Sequence, residues 1–468
     1  MKMIYNVKDK PKFTQLIVFA VQQLLAIMAA TLVVPVIVGH GMSSAAALFG
    51  AGVGTLVYVL FTKAKSPVFL GSSFAFLGSM TSAFAGATSM TLGYLGLIMG
   101  AIFAGLVYVI IALIVKFVGV GWINKLMPAV VIGPTVAIIG LSLAGNAIGD
   151  LQKGGVTKDM LQWFIENGVP VEKTVQVPVA NTLICVLVGI VTLVVTMVCA
   201  TYGKKMVKLI PFIIGILSGY ALASIFTVIG IKTNNPDLQI INFSLFQNLV
   251  ADGVTLNTFF AVPEFTFMTA IKGTSEITGI YLGQIAVAYI PVAFVVFAEH
   301  IADHKNISTI IETDLLEEPG LHRTLLGDGV GSIIGAIFGG CPNTTYGESV
   351  ACVAITRNAS VATIITAAVG AILVAFINPF VTFVNSIPPC VMGGVCMALY
   401  GFIAVSGLKM IQKVNLEENS NLFVVSVILI SGIGGLALTF GKVTLTPIAC
   451  ALILGIITNI VLSKKKAA

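Results

Sequence analysis

Three carboxylates sit inside stretches of otherwise membrane-grade hydrophobicity. Glu299 and Asp303 occur in "VVFAEHIADH", and Glu348 in "PNTTYGESVACVAITR", between the apolar runs "GSIIGAIFGG" and "TIITAAVGAILVAFI". An ionisable group at that depth is costly and needs a reason. Spacing i, i+4 puts Glu299 and Asp303 on one helix face, a turn apart. Asp303 lies near Lys305 and an expected span end, where a carboxylate also caps a helix or pairs with a lysine; Glu299 lies a turn deeper, and Glu348 opens a half-helix. Ionised carboxylates accept hydrogen bonds, and backbone amides at a half-helix start donate them. A pocket made of both repels a pure anion such as sulfate and wastes its donors on a metal cation. A neutral planar solute with alternating N–H and C=O groups fits best, with Phe74, Phe76 and Tyr346 available to cover its faces. A nucleobase answers that description.

His300 and His304, also i, i+4, raise the alternative of zinc and an intramembrane metal enzyme. The order H-E-x-x-H is missing and no other span offers an obvious ligand. Helix-end histidines that pack or hydrogen-bond are the commoner case, so no metal, no cofactor and no enzyme activity are expected. The Gly-rich stretches "GVGTL" (52–56) and "GDGVGSIIG" (327–335) suit close helix packing better than phosphate binding.

These residues need a scaffold, and the composition says which kind. Of 468 residues 57% are hydrophobic and 9% charged, far from the soluble norm of about one quarter charged. Apolar runs of spanning length recur from end to end, which makes this a multi-pass helical membrane protein. The first run, from about residue 14, lacks a cleavage site and reads as a retained span. The net charge of +6 is no nucleic-acid footprint, because the lysines cluster beside spans. Lys2, Lys8, Lys10 and Lys12 precede the first span and Lys464, Lys465 and Lys466 follow the last, so both termini are expected in the cytoplasm. Cys185, Cys199, Cys341, Cys352, Cys390, Cys396 and Cys450 form no C-x-x-C and lie mostly in apolar segments, as buried small hydrophobes.

Hydropathy places fourteen segments near 14–38, 44–61, 67–85, 91–118, 124–147, 179–201, 208–230, 286–304, 325–340, 345–356, 360–385, 389–407, 420–440 and 443–463. Polar loops are expected at 150–175 and roughly 232–280. The third and tenth segments carry polar, Gly-containing interruptions, "LGSSFAF" and "NTTYGES". Ser72-Ser73-Phe74-Ala75 matches Thr344-Thr345-Tyr346-Gly347 type for type at an offset of 272. "VQQLLA" (21–26) echoes "AEHIAD" (298–303) at 277, "PAVVIGPTVAIIG" (128–140) matches "PCVMGGVCMALYG" (389–401) at 261, and Pro211 pairs with Pro447 at 236. Their consistent order implies a duplication of seven spans, 14–230 and 286–463. Seven is odd, so the second copy enters the membrane inverted. Inverted repeats with broken helices in matching places mark secondary transporters, with substrate at the breaks.

At these residues the chain resembles a known family. "PNTTYGES" followed by "AITR", with "AEHI" upstream, "GSSFAF" in the third span, and stretches from "QQLLAIMAATLVVPVIVG" to "PPCVMGGV", strongly resembles the nucleobase–ascorbate transporter family, and within it the uracil permeases. The resemblance implies an all-α protein of fourteen segments, with short antiparallel strands interrupting spans three and ten. It also implies a core domain (about 14–118 and 286–385) and a gate domain (about 124–230 and 389–463). By the same resemblance Glu299 and Glu348 bind the base, and the backbone amides of Phe74 and Gly347 reach its ring carbonyls. Tyr346 lines the site, and Tyr400 faces it from the gate. Four positions depart from the family pattern: Ser349 and Ala351 stand for Asn and Gly, Asp303 for a residue that can be His, and Gln23 for a frequent His.

The expectation is therefore a proton-coupled uracil importer of the bacterial inner membrane, working by alternating access, with Glu299 and Asp303 serving the proton and uracil as its small-molecule partner. Membrane lipid surrounds it, no nucleic acid is involved, and the resemblance admits a homodimer. A purine (xanthine or urate) permease is the alternative within the family. A sulfate-type anion transporter or channel is the alternative outside it.

Overall fold

A computed structural model describes residues 3–119, 121–122, 127–166, 169–204, 206–251, 253–440 and 443–463. Lys2, Lys464, Lys465 and Lys466, used above to orient the termini, lie outside the described residues. In lipid every peptide group must be paired within its own segment, so the apolar runs fold as helices. The first half contains α1 (Phe13–Val38), α2 (Ser44–Phe61), α3 (Leu77–Ala85), α4 (Met90–Val118), α5 (Ala129–Ser142), α6 (Ala144–Leu151), α7 (Thr182–Tyr202) and α8 (Pro211–Lys232). The second contains α9 (Gly279–Ile311), α10 (Leu321–Gly339), α11 (Gly347–Thr356), α12 (Val361–Val374), α13 (Asn378–Ser386), α14 (Pro389–Ile411), α15 (Asn419–Ile433) and α16 (Pro447–Ser463). Among the described residues, eight helical stretches, one of them α5 and α6 taken together, are long and apolar enough to cross a membrane, and five shorter ones are also apolar. The seven cysteines are free and buried.

Local chemistry starts the helices where they start. Ser43 accepts from Ala46 N at 3.2 Å and Ser89 from Leu92 N at 3.1 Å, capping α2 and α4. Pro211 opens α8 and Pro447 opens α16, where a missing N–H costs nothing. These two prolines, paired across the halves in the sequence, each stand at the first position of a helix.

Among the described residues there are three antiparallel strand pairs: β1 (Leu70–Ser72) with β4 (Asn343–Thr345), β2 (Thr157–Glu166) with β3 (Val169–Pro178), and β5 (Leu438–Phe440) with β6 (Val443–Leu445). β1 and β4 interrupt the third and tenth segments, as the resemblance implied. The strands start at Leu70 and Asn343, an offset of 273, so the type-for-type match at 272 was one residue out of structural register. The 150–175 loop is instead a β2–β3 hairpin, whose valines, threonines and aromatics favour an extended backbone. The eighth segment extends well beyond 286–304, because its polar ends dilute hydropathy without breaking the helix; α9 has 33 residues. Asp303 is consequently inside a helix and not at its end. The expected segment 124–147 breaks between α5 and α6, and 360–385 breaks before Asn378-Pro379, where a proline suits a new helix start.

Contacts divide the chain into two compact units. One contains Met1–Ser142, Ala261–Ile377 and Tyr400–Ala468; the other contains Leu143–Phe260 and Asn378–Leu399. In the second unit Gly215 and Gly219 of α8 let it lie against Thr196 and Thr192 of α7. There Thr227 Oγ1 accepts from Ile240 N and Ile241 N, each at 3.0 Å, and so pins the chain after α8. In the first unit α2 and α10 meet through small residues, the role expected for the two Gly-rich stretches. A Cβ on Gly54 would stand 2.7 Å from Gly331 O and 2.6 Å from Asn343 Nδ2. Such close approach is how membrane helices gain packing energy in lipid. Gly54→Ala should therefore lower stability by about 1–3 kcal/mol through overpacking. Thermal unfolding of the purified protein in detergent checks this, and an unchanged midpoint would refute the tight α2–α10 contact.

Candidate substrate site

The site belongs to the first unit and is built around the β1–β4 pair. Leu70 lies opposite Thr345, Gly71 opposite Thr344 and Ser72 opposite Asn343. Two further backbone bonds extend the ladder, Ser73 N to Pro342 O at 2.9 Å and Tyr346 N to Phe69 O at 3.2 Å. Each strand then turns into a helix. Phe74–Phe76 form a 3-10 turn leading into α3, and α11 begins at Gly347. The first amides of a helix have no partner within it, so Phe74 and Gly347 bring donor ends to the same place. The helix starts are also 273 apart. Gly71 is required here: a Cβ on it would collide with the ring of Tyr346, whose hydroxyl donates to Ser72 O at 2.7 Å.

The carboxylates gather beside these helix starts. Glu348 is the second residue of α11, and Glu299 lies within electrostatic reach of Asp303, Glu348 and Asp328. Asp303 Oδ2 accepts from Thr345 Oγ1 at 2.8 Å, and its Oδ1 stands 3.9 Å from where a Gly347 side chain would begin. Asp303 thus reaches β4 and the start of α11 while belonging to α9. Phe74 meets Tyr400 edge-on, with ring centroids 5.8 Å apart. Phe76 is instead stacked on Tyr289 at 5.6 Å, fully buried. The structure therefore groups Glu299, Asp303, Glu348, Phe74, Tyr346 and Gly347, with Tyr400 against Phe74.

Two of the departures from the family pattern are partners. Gln23 Nε2 of α1 donates to Ser349 Oγ of α11, and the same hydroxyl accepts from Phe69 N at 2.9 Å. Ser349 thereby joins α1, the approach to β1, and the first turn of α11. The two histidines are held by hydrogen bonds. His300 Nδ1 faces Asp328 Oδ2 at 2.6 Å and its Nε2 faces Thr324 Oγ1 at 3.0 Å. His304 Nδ1 lies 2.8 Å from His300 O, a carbonyl that can only accept, so Nδ1 carries the proton. Its Nε2 meets Tyr58 OH at 2.7 Å, and Tyr58 OH also meets Ser66 Oγ at 2.7 Å. His300 and His304 are 0% exposed and Asp328 is 1% exposed. Asp328 was missed in the sequence, although a carboxylate within "GDGVGSIIG" carried the same signal as Glu299.

A multi-pass helical fold with paired strands at two helix breaks and carboxylates at the breaks defines a membrane transporter. Comparison with known proteins gives its family. The permease family model Xan_ur_permease matches residues 14–440. The uracil permease of Bacillus subtilis (strain 168) is 36% identical over 470 residues, covering 99% of this chain and 96% of that one. The uracil permease of Escherichia coli (strain K12) is 34% identical, covering 96% and 92%. Among solved structures, the transmembrane domain of the cyanobacterial bicarbonate transporter BicA shares the fold, with a TM-score of 0.60 at 13% identity, over 97% of this chain and 99% of that one. The chain belongs to the nucleobase–ascorbate transporter family of permeases. It is a transporter and not an enzyme.

Ser349→Ala would leave two buried donors, Phe69 N and Gln23 Nε2, without their shared acceptor, at about 1–3 kcal/mol for an unsatisfied group. It should destabilise the purified protein more than Gln23→Ala, which strips only one donor. Equal unfolding midpoints for the two variants would contradict this shared-acceptor role.

Proposed function

We propose that this permease imports uracil together with a proton across a bacterial cell membrane, by alternating access, with both termini in the cytoplasm. The observation that carries the reading is the placement of Glu348 in the first turn of α11 with Glu299 of α9 within electrostatic reach of it, in a chain so similar to proteins named uracil permease. Uracil alternates N–H and C=O groups around its ring. The amides of Phe74 and Gly347 suit the carbonyls, and the carboxylates of Glu299 and Glu348 suit the N–H groups. Tyr346 fixes the strand beneath the base, and Tyr400 closes against Phe74 from the gate. Intramembrane carboxylates mark proton relays, and Asp303, one turn from Glu299, is the natural partner in passing a proton. When protonated, Glu299 donates to a ring carbonyl; when ionised, it accepts from a ring N–H. A bicarbonate transporter shares the fold, so the fold alone does not select the substrate. Glu348 at one helix start, with Glu299 and Asp303 approaching from α9, disfavours an anion.

Uptake of radiolabelled uracil in a permease-null strain tests this, with xanthine and cytosine as competitors and a protonophore control. Uptake should saturate, collapse with the protonophore and resist both competitors. Cytosine reverses the donor–acceptor pattern on one side and should be rejected. Competition by xanthine at equal concentration would favour the purine alternative. Glu348→Gln turns an NH₂ donor towards a ring N–H, and should weaken uracil binding to purified protein about five- to 150-fold. Glu299→Gln keeps size and some hydrogen bonding but loses the exchangeable proton, so accumulation should fall more than binding. Wild-type binding and uptake in Glu348→Gln would remove that residue from the site.

For orientation, Lys464→Cys should stay unlabelled by an impermeant thiol reagent in intact cells, where the native cysteines are buried. Labelling without permeabilisation would reverse the topology.

A further inference from the structure

Residues Met3–Asp9, ahead of α1, have no part in the substrate site above, yet they are tied closely to the far end of α11. Ile4 N and Tyr5 N both donate to Arg357 O, at 2.8 and 3.3 Å, while Ala359 N donates to Tyr5 O at 2.9 Å and Val361 N to Val7 O at 3.1 Å. Tyr5 and Asn358 form a parallel bridge, and Ser360 Oγ donates to Asp9 O at 2.6 Å. Tyr5 also grips α1: its hydroxyl donates to Gln15 Oε1 at 2.7 Å, and its ring meets Phe19 edge-on at 5.9 Å. Met3 and Val7 pack on a buried cluster that includes Leu70, Ile307, Val350 and Val353. Those four residues belong to β1, α9 and α11, the elements that carry or lead to Phe74, Glu299 and Glu348.

α11 needs such support. It has ten residues, and isolated helices shorter than about 12–15 residues are marginal. β4 holds the end that bears Glu348. The other end finishes at Arg357 in a left-handed conformation, φ 53°, and the carbonyl of that residue is the one that takes both strap amides. We infer that Met3–Asp9 is a strap that holds α11, and through it Glu348, in register with β1 and α9. Ile4, Tyr5 and Val7 act as positioning residues, without touching substrate. The inference rests on reading Glu348 as a substrate-binding residue.

Ile4 offers a clean test, because its side chain is 61% exposed and its contribution to the strap is its backbone N–H. Ile4→Pro removes that donor, and Ile4→Val keeps it. The full-length purified protein is compared by amide hydrogen exchange across Gly347–Thr356 and by uracil binding, beside uptake in cells. In Ile4→Pro, exchange across α11 should quicken and the uracil Kd rise, each about three- to tenfold, with the saturated uptake rate kept within about twofold and Ile4→Val at wild-type values. Ser360→Ala, which deletes only the bond to Asp9 O, should move both quantities the same way by less, and decides the matter if Ile4→Pro does not fold. Unchanged α11 exchange in a folded variant overturns the strap, as does a lower saturated rate at unchanged Kd. The exchange readout needs no ligand. Faster exchange in a protein that binds no uracil, even as wild type, would therefore retire the substrate reading and leave the strap standing.

Discussion

Breaking a helix inside a membrane uncovers peptide groups that lipid cannot satisfy, at several kcal/mol each. This protein does so twice, and the pairing of β1 with β4 is what makes it tolerable. Each three-residue strand takes the other as its partner, so the two breaks must lie side by side. The helix starts that follow, at Phe74 and Gly347, are thereby brought together. Antiparallel pairing of equivalent strands is also what two inverted copies of one unit produce about a shared axis. The positions of Phe74, Tyr346, Gly347 and Glu348 follow from that pairing.

A ladder this short cannot satisfy its own edges, and side chains from neighbouring helices finish it. Thr55 Oγ1 of α2 accepts from Leu70 N at 2.9 Å, and Ser349 Oγ accepts from Phe69 N. On the other strand Asn343 Nδ2 donates to Gly50 O at 3.1 Å. The Asn343 bond and the bond from Thr345 Oγ1 to Asp303 Oδ2 account for two of the polar residues of "PNTT" at a depth where lipid-facing segments are apolar. They also link the α2–α10 contact to the site: Asn343 fits only because Gly54 and Gly335 leave room for its amide.

Much of this was legible because lipid simplifies the rules. A segment of suitable length and hydropathy is a helix, and the second expected segment, 44–61, matches α2 residue for residue. The two polar interruptions were legible as breaks because nothing else accounts for polar residues there. What escaped had no periodic signal. The β2–β3 hairpin lies outside the apolar runs, where hydropathy is silent. The full length of α9 was hidden by polar ends that a soluble helix turn tolerates. The Gln23–Ser349 bond joins residues 326 positions apart, and only the fold brings them together. Asp328 is a different case. Its signal was present, but neighbouring glycines drew it into the packing motif.

The same frame serves quite different solutes, and electrostatics shows how it can. Two half-helix starts facing one another present amide donors and two positive dipole ends, a natural anion site. Here Glu348 stands in the first turn of one of them, and Glu299 and Asp303 approach from α9. Negative charge placed against those ends cancels their attraction for an anion while leaving the amide donors in place. It also adds acceptors that a bare helix start lacks. On the proposed reading, a solute there must bring both donors and acceptors and little net charge. On that reading the backbone sets where a solute sits, and the three acidic side chains favour a neutral solute over an anion.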